Sequence, residues 1–503
     1  MSSALLISTY EMGRQPFGVA SAAAWLRAGG WEVRSIDAAK EKLTVDRLGG
    51  ADLIGFHLPM HTATRLAGPV IAAARRVNPD ASIAAFGLYA PLNEEWLRLL
   101  GVDAVFGGEF EESLASWAKA ALKGCATRDD ARANAATPAP QPFSAASDGV
   151  PFQVTPSTRS AQQTQVSLYK ATSADSPISV DSAFPRVRLP RIQFLVPDRS
   201  TLPPLTKYAS LQMPDGSRRT VGYTEASRGC RHRCRHCPVV PIYDGQFRVV
   251  QPEVVLADIA AQVAAGASHI TFGDPDFFNG PTHAMRIVRA LHAAHPLLTY
   301  DVTIKIEHLL KHRELVPALA ATGCAFVTSA VESLDDRVLA IFDKGHTRAG
   351  FVEAVQLCRT AGLSLVPTFV AFHPWLTLGL YCDLLDAIES LDLVDYVAPI
   401  QLAIRLLVPE GSRLITTAEM QPYLGGFDPV TLTYRWSHPD PRVDALHDEV
   451  TRIVGTRLTA DRRIVFDAVR ALAHERAGVP RRHGARPARA RATVPYLNEP
   501  WYC

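Results

Sequence analysis

Three thiols crowd one short run. The stretch Ser227-Arg228-Gly229-Cys230-Arg231-His232-Arg233-Cys234-Arg235-His236-Cys237-Pro238 sets Cys230, Cys234 and Cys237 at C-x3-C-x2-C spacing. Thiolates are the usual ligands of iron–sulfur clusters, and a cubane held by three of them keeps one iron open to an external group. An open iron is a reaction site. Arg228, Arg231, Arg233 and Arg235 surround the thiols and are expected to lower their pKa and balance the charge of a cluster. The alternative is structural zinc, which takes four ligands, usually as paired C-x2-C or H-x3-H elements. No second pair exists elsewhere in the chain, although His232 or His236 could complete a fourth position. In functional terms that alternative is a zinc-binding nucleic-acid module, with an arginine-rich tail to meet phosphates; zinc without iron or sulfide would support it.

The elements around this run must place it. From residue 221 onward short apolar segments at 222–225, 269–272, 300–304, 326–328, 364–370 and 396–399 read as strands. They alternate with amphipathic stretches at 252–264, 282–295, 309–321, 335–341, 347–361 and 380–391 that read as helices. Six such units predict a partial (β/α)6 barrel whose active site opens at the carboxyl ends of the strands. The cysteine run follows the first of them. Near the other strand ends stand Lys305 and Glu307, Ser329 and Glu332, His373, and Gln401 and Arg405, each either a ligand contact or a loop-to-loop hydrogen-bond partner. Residues 4–8, 32–36, 52–58, 82–86 and 104–106 read as a further set of strands, with helices at 19–28, 64–77, 94–100 and 112–122 between them. This alternation predicts a doubly wound α/β domain that binds ligands beyond its strand ends, in turns such as Met60-His61-Thr62 and Gly87-Leu88-Tyr89. The expected division is 1–122 for that Rossmann-type domain and 123–190 for a flexible linker, then 191–410 for a connector and barrel and 411–503 for a helical region with an Arg-rich tail.

Composition narrows the setting. With 47% hydrophobic and 20% charged residues, 503 residues can fill two or three packed domains. Apolar runs are cut by Pro, Gln or Arg before the roughly 20 residues that a membrane span needs, and the N-terminus lacks a basic, apolar leader. A soluble, cytoplasmic protein without a membrane role is expected. Eight Cys are too few for a disulfide scaffold, so three within eight residues suggest metal ligation in a reducing compartment. A net charge of +2 gives no argument for nucleic acid as a partner. Arg476, Arg481, Arg482, Arg486, Arg489 and Arg491 still crowd the C-terminal segment, where a solvated tail is the plainer expectation. Cys324 and Cys358 sit in apolar settings and read as core thiols.

The cysteine loop at the head of six βα units resembles the radical S-adenosylmethionine (SAM) superfamily, whose signature is the same C-x3-C-x2-C. The resemblance implies that Cys230, Cys234 and Cys237 bind a 4Fe–4S cluster, with the methionyl amine and carboxylate of SAM chelating the open iron. Electron transfer then breaks a carbon–sulfur bond, most often giving a 5′-deoxyadenosyl radical. His236, just before the last Cys, matches a position that often holds an aromatic residue near the adenine. The segment Thr271-Phe272-Gly273-Asp274-Pro275-Asp276 resembles the part that receives the SAM amino group. It departs from the common Gly-Gly-Glu form, so Gly273, Asp274 and Asp276 are implied contacts on a divergent motif. Glu332 and Arg405 are the expected acceptor for ribose hydroxyls and cation for the carboxylate. The family also implies a small-molecule substrate and an electron donor such as flavodoxin or ferredoxin.

A doubly wound domain ahead of such a barrel resembles the cobalamin-binding subfamily. Cobalamin is therefore a further candidate cofactor, although the Asp-x-His-x-x-Gly motif that supplies a lower axial His in other cobalamin proteins is absent. Methyl transfer and 3-amino-3-carboxypropyl transfer are the alternative outcomes. Methylthiolation of tRNA would require a further Cys triad near the N-terminus, where Cys125 is alone. The segment Asn498-Glu499-Pro500-Trp501-Tyr502-Cys503, with this architecture, resembles proteins described by a CUAEP or CCAEP ending. The corresponding expectation is a natural chain that continues through selenocysteine past Cys503.

Overall fold

Strand β1 (Ser3–Ser8) is buried at every position but its first, as a parallel strand covered on both faces must be. It lies between β2 (Glu32–Asp37) and β3 (Leu53–His57), followed by β4 (Ser82–Phe86) and β5 (Ala104–Phe106). All neighbours run parallel in the order β2-β1-β3-β4-β5. Helices Phe17–Ala28, His61–Val77, Glu94–Leu99 and Glu111–Arg132 connect or follow these strands. Leu6, Val19, Ala23, Leu26, Phe86, Phe110 and Leu114 form one buried cluster. The order reverses between β1 and β3, which is where doubly wound sheets open a ligand crevice. The last helix runs past residue 122, into the segment expected as linker.

The computed structural model describes residues 2–132, 191–457, 460–480 and 496–498. They form two units, one of 2–132 with 191–203 and one that begins at Pro204. Most of the expected linker, the arginines from 481 to 491 and the tail from 499 to 503 lie outside the described residues.

The second unit is built on β6 (Ser210–Gln212), β7 (Arg218–Thr224), β8 (Ser227–Gly229), β9 (Phe247–Val249), β10 (His269–Phe272), β11 (Thr299–Thr303), β12 (Cys324–Glu332), β13 (Ser364–Phe369), β14 (Leu424–Asp428), β15 (Thr433–Trp436) and β16 (Tyr496–Asn498). Its main sheet follows the order β13-β12-β11-β10-β7-β6-β16, and β7 and β10 to β13 are parallel. The α/β class holds, with a curled half-barrel sheet in this unit. Helices cover it, several opened by N-caps: Thr347 Oγ1 accepts from Gly350 N–H, and Thr377 Oγ1 from Leu380 N–H.

Two expectations need correction. Residues 396–399 are not a strand; the sixth position is held by an isolated parallel bridge between Phe372 and Arg405. Pro399 opens a 3-10 turn, and the Gln401 side chain accepts the Phe369 N–H at 2.9 Å, so a side chain satisfies the donor at the end of β13. The region after 411 is not helical throughout, because the hairpin β14–β15 precedes helices Pro441–Thr456 and Arg462–Ala477. Arg476 closes on Glu449 at 2.9 Å. Among the described residues, no helix is long and apolar enough to cross a membrane.

Candidate active site

The loop that carries the three thiols is clamped at its base. β8 and β9 pair antiparallel on either side of it, and Cys230 N–H donates to Gln246 O at 3.1 Å. Gly229, at φ +75°, leads into Cys230; any side chain there would overlap the Tyr243 ring and the Gln246 carbonyl, so the position must be glycine. Asn279 accepts the Arg231 N–H at 3.1 Å and donates to Gly229 O at 3.3 Å. Further along, Arg235 N–H donates to Phe342 O, and Ser412 Oγ to Arg235 O. Phe342 belongs to an apolar cluster with Val338, Ile341, Trp375, Leu406, Leu414 and Met420. Buried apolar surface of this kind contributes roughly 25 cal/mol per Å², which fixes the loop on the sheet.

Burial governs the thiols. It pushes Cys230 up to about 11 and Cys237 up to about 12. The expectation that four arginines would lower them fails because those side chains point elsewhere. Arg228 pairs with Glu225 at 2.7 Å, Arg231 stacks over Phe247 with 4.7 Å to the centroid, Arg233 meets Asp244 at 3.3 Å, and Arg235 donates to Ile341 O. The cations beside the thiols are buried lysines instead: Lys305 Nζ lies 3.8 Å from Cys234 Sγ, and Lys344 acts on Cys237.

The donor set suits a large inorganic group. Thiolates sharing one zinc ion sit about 4 Å apart. Among the described residues, the only group of three or more His, Cys, Asp or Glu ligand atoms gathered within 4.8 Å is that of His232, Asp276 and His308. The three thiols are not among them, and ligands at separate corners of a cluster need not be. Zinc on the cysteine run loses its geometric support.

The turn after β10 is also built for this loop. Gly273 has no room for a side chain, because the Tyr223 ring fills that space, and its N–H donates to Thr224 O at 2.8 Å. Asp274 accepts from Ser227 Oγ at 2.5 Å and from Ala226 N–H at 2.9 Å, tying β10 to the approach of the cysteine run. Burial pushes its carboxyl up to about 7. Asp276 is fully buried; burial would raise it, but His232 and His308 hold it below the usual carboxylate range.

His236 and Glu332 are brought together. His236 Nε2 lies 3.1 Å from Glu332 Oε1, with its ring against Phe342 at 4.5 Å between centroids. Lys344 Nζ reaches the same oxygen at 3.4 Å. Burial alone would raise Glu332; Lys344 and His236 outweigh it and hold the carboxyl at about 2. A register shift in β12 and φ +70° at Glu332 turn it toward these partners. Arg405 does not join them. Its guanidinium bonds Asp444 at 2.7 Å and Trp436 O at 3.2 Å and stacks on Trp436, so it fastens the C-terminal hairpin and helix. His373 is buried, which pushes it down to about 3 and keeps it neutral. Lys344 and His308 escaped the sequence reading; the signal for His308 was its i,i+4 spacing to His312.

In the first unit, His61 and Tyr89 bring the turns after β3 and β4 together, with 6.4 Å between their rings. The buried His57 ends β3, 3.3 Å from Glu11 Oε2 at the β1–β3 reversal, a pair the sequence did not flag. A side chain on Gly18 would overlap the His57 ring, and one on Gly87 would come within 2.9 Å of Leu58 O. The mouth here is lined closely by backbone.

With this geometry in hand, residues 224–376 match the family model described as the Radical SAM superfamily. The chain carries a radical SAM domain. The superfamily matched by that domain implies a 4Fe–4S cluster and SAM as its cofactors. A tRNA-2-methylthio-N(6)-dimethylallyladenosine synthase of Desulfosudis oleivorans is 28% identical over 198 residues, 36% of this chain and 40% of that protein. A hopanoid C-3 methylase of Methylococcus capsulatus is 24% identical over 151 residues, 30% of this chain and 29% of that one. The chain thus spans less than half the length of either relative. Among solved structures, the radical SAM methyltransferase TsrM of Kitasatospora setae, with tryptophan and a SAM analogue bound, gives a TM-score of 0.59 at 18% identity. That match covers 84% of this chain and 76% of TsrM. OxsB, with aqua-cobalamin and SAM bound, gives 0.63 at 14% identity, covering 94% of this chain and 72% of OxsB. At these identities the likeness is one of fold.

Proposed function

We propose that the chain cleaves SAM reductively at a cluster held by Cys230, Cys234 and Cys237 and uses it to modify a small molecule, with methyl transfer as the outcome. The observation that carries this reading is the set of three thiols on one clamped loop at the strand-end mouth of a parallel half-barrel. When bound, the cluster supplies one electron and SAM the transferable group. The chain's own residues do the rest: Lys305 and Lys344 offset negative charge at the thiols, and Asp274 fixes the approach to the loop. Gly273, His236 and Glu332 are the proposed SAM contacts, with Lys344 rather than Arg405 as the cation beside Glu332, while the Asp276 carboxylate is turned to His232 and His308.

Methyl transfer is favoured over the 3-amino-3-carboxypropyl route by the first unit. Its crevice at the β1–β3 reversal is where a doubly wound sheet takes a cofactor, and the TsrM and OxsB structures were solved with cobalamin. Residues 1–122 are accordingly proposed as a cobalamin-binding domain, 123–190 as a linker, 191–410 as the radical SAM core and 411–503 as a supporting C-terminal region. A thiol-ligated cluster fits the cytoplasm, with a flavodoxin or ferredoxin as electron donor.

Anaerobic reconstitution with iron and sulfide, followed by reduction with SAM, tests the proposal. 5′-Deoxyadenosine or a methylated product should form only when all three Cys are present, and the loaded chain should show the absorption of bound cobalamin. A chain that assembles no cluster would overturn the first part; one that assembles it but never retains cobalamin would overturn the second.

A further inference from the structure

We propose that His232, Asp276 and His308 form a binding site for one divalent transition-metal ion, distinct from the cysteine cluster. Their ligand atoms lie within 4.8 Å of one another. His308 Nδ1 is 2.7 Å from Asp276 Oδ2 and His232 Nε2 is 3.6 Å from it. A first-row ion holding nitrogen and oxygen at about 2.0–2.2 Å sets neighbouring ligands about 3–3.5 Å apart, which these separations bracket.

The second observation is that these atoms are buried and face only one another. Asp276 is fully buried and the His308 side chain is 7% exposed, and Asp276 Oδ2, His308 Nδ1 and His232 Nε2 make no hydrogen bond of acceptable geometry. A buried polar atom left without a partner costs about 1–3 kcal/mol, and three aimed at one point imply something to receive them. The surroundings orient each ligand. Asp276 Oδ1 accepts the Phe278 N–H at 3.2 Å, which fixes the carboxylate. Glu307 Oε2 stands 3.5 Å behind His232 Nδ1, the outer-carboxylate arrangement common behind metal-bound imidazole.

Two imidazoles and one carboxylate suit zinc or ferrous iron and leave coordination positions open. The ligands come from three places: the cysteine loop, the turn after β10 and helix Ile306–Lys311 after β11. The ion therefore fastens the loop segment between Cys230 and Cys234 to two strand ends. None of its ligands is a thiol, so it can be present or absent independently of the cluster.

The test uses the full chain with its cluster reconstituted, washed with a chelator and titrated anaerobically with Co2+, following visible absorption and metal content. One cobalt per chain is expected beyond the cluster iron, with the d–d bands of nitrogen and oxygen ligation and no thiolate charge-transfer band. Asp276→Asn and His308→Gln should each weaken cobalt binding at least tenfold while iron and sulfide content stay unchanged. Absence of stoichiometric cobalt in the wild type, or cobalt binding indifferent to both variants, would overturn the proposal. So would cobalt bound with a thiolate band. A chain that fails to hold the cluster but binds cobalt through these three residues would sink the cluster reading and leave this one standing.

Discussion

The two strand-end mouths of this chain are made of different materials. In the radical SAM unit the mouth is crowded with titratable side chains in defined pairs, Lys305 with Cys234, Glu332 with His236 and Lys344, and Asp276 with His308. In the doubly wound unit close backbone and glycine stand beside the buried pair of His57 and Glu11. Chemistry on a small, reactive centre demands fixed charges; a broad organic cofactor needs surface and clearance. A sequence displays the first in residue types and hides the second in shape.

The largest effect should separate the two mouths completely. Changing Cys230, Cys234 or Cys237 to Ala should abolish SAM cleavage and drop iron from about four per chain toward none, while cobalamin absorption on the first unit persists. Iron and sulfide assay with visible spectroscopy on the same sample checks both. Loss of cobalamin together with the cluster would break the comparison. Next comes the buried ion pair. Glu332→Gln leaves Lys344 buried beside a neutral partner, and losing one member of such a pair costs about 3–5 kcal/mol; a denaturant titration reads it. The wild-type pair has a pH signature as well. The folded pKa of Glu332, about 2, lies below its ordinary 4.5, so its stabilisation is present above about 4.5 and lost as pH falls toward 2.

In the other mouth the sensitive positions are the smallest. Gly18→Ala forces a methyl into the His57 ring and should cost about 1–3 kcal/mol by overpacking, with weaker cobalamin retention and unchanged iron content. A neutral effect would show that His57 can move, and that the β1–β3 crevice is looser than its backbone suggests.

The same contrast explains what could be read from the chain. C-x3-C-x2-C spacing on a loop between βα units survives translation into three dimensions, because spacing along one loop is local. The strands at 269–272 and 82–86 were legible for the same reason, as short segments rich in apolar residues between helical stretches. Side-chain direction is not local. The four arginines looked like thiol partners by proximity in sequence, yet Glu225, Phe247, Asp244 and the Ile341 carbonyl hold them. Lys344, far along the chain, takes the role because the β12 bulge turns Glu332 toward it. Arg405 was misplaced because nothing local marks Asp444 and Trp436 as its partners.

An effect confined to a narrow pH window tests whether charge in the radical SAM mouth is structural even where no cation stands. Asp274 accepts from Ser227 and Ala226, and burial raises its folded pKa to about 7 against an ordinary 3.8. Its sign is opposite to that of Glu332. The folded chain keeps the proton longer than the unfolded one, so the associated stability is full below about 4 and is lost as pH rises toward 7, at most about 1.4 kcal/mol per pH unit. Asp274→Asn removes that slope, and its amide can still accept from Ala226. The stability of wild type relative to this variant should therefore fall between pH 5 and pH 7 and level off above. A flat difference would mean that Asp274 is ionised in the folded chain at pH 5, with Ser227 and Ala226 outweighing its burial.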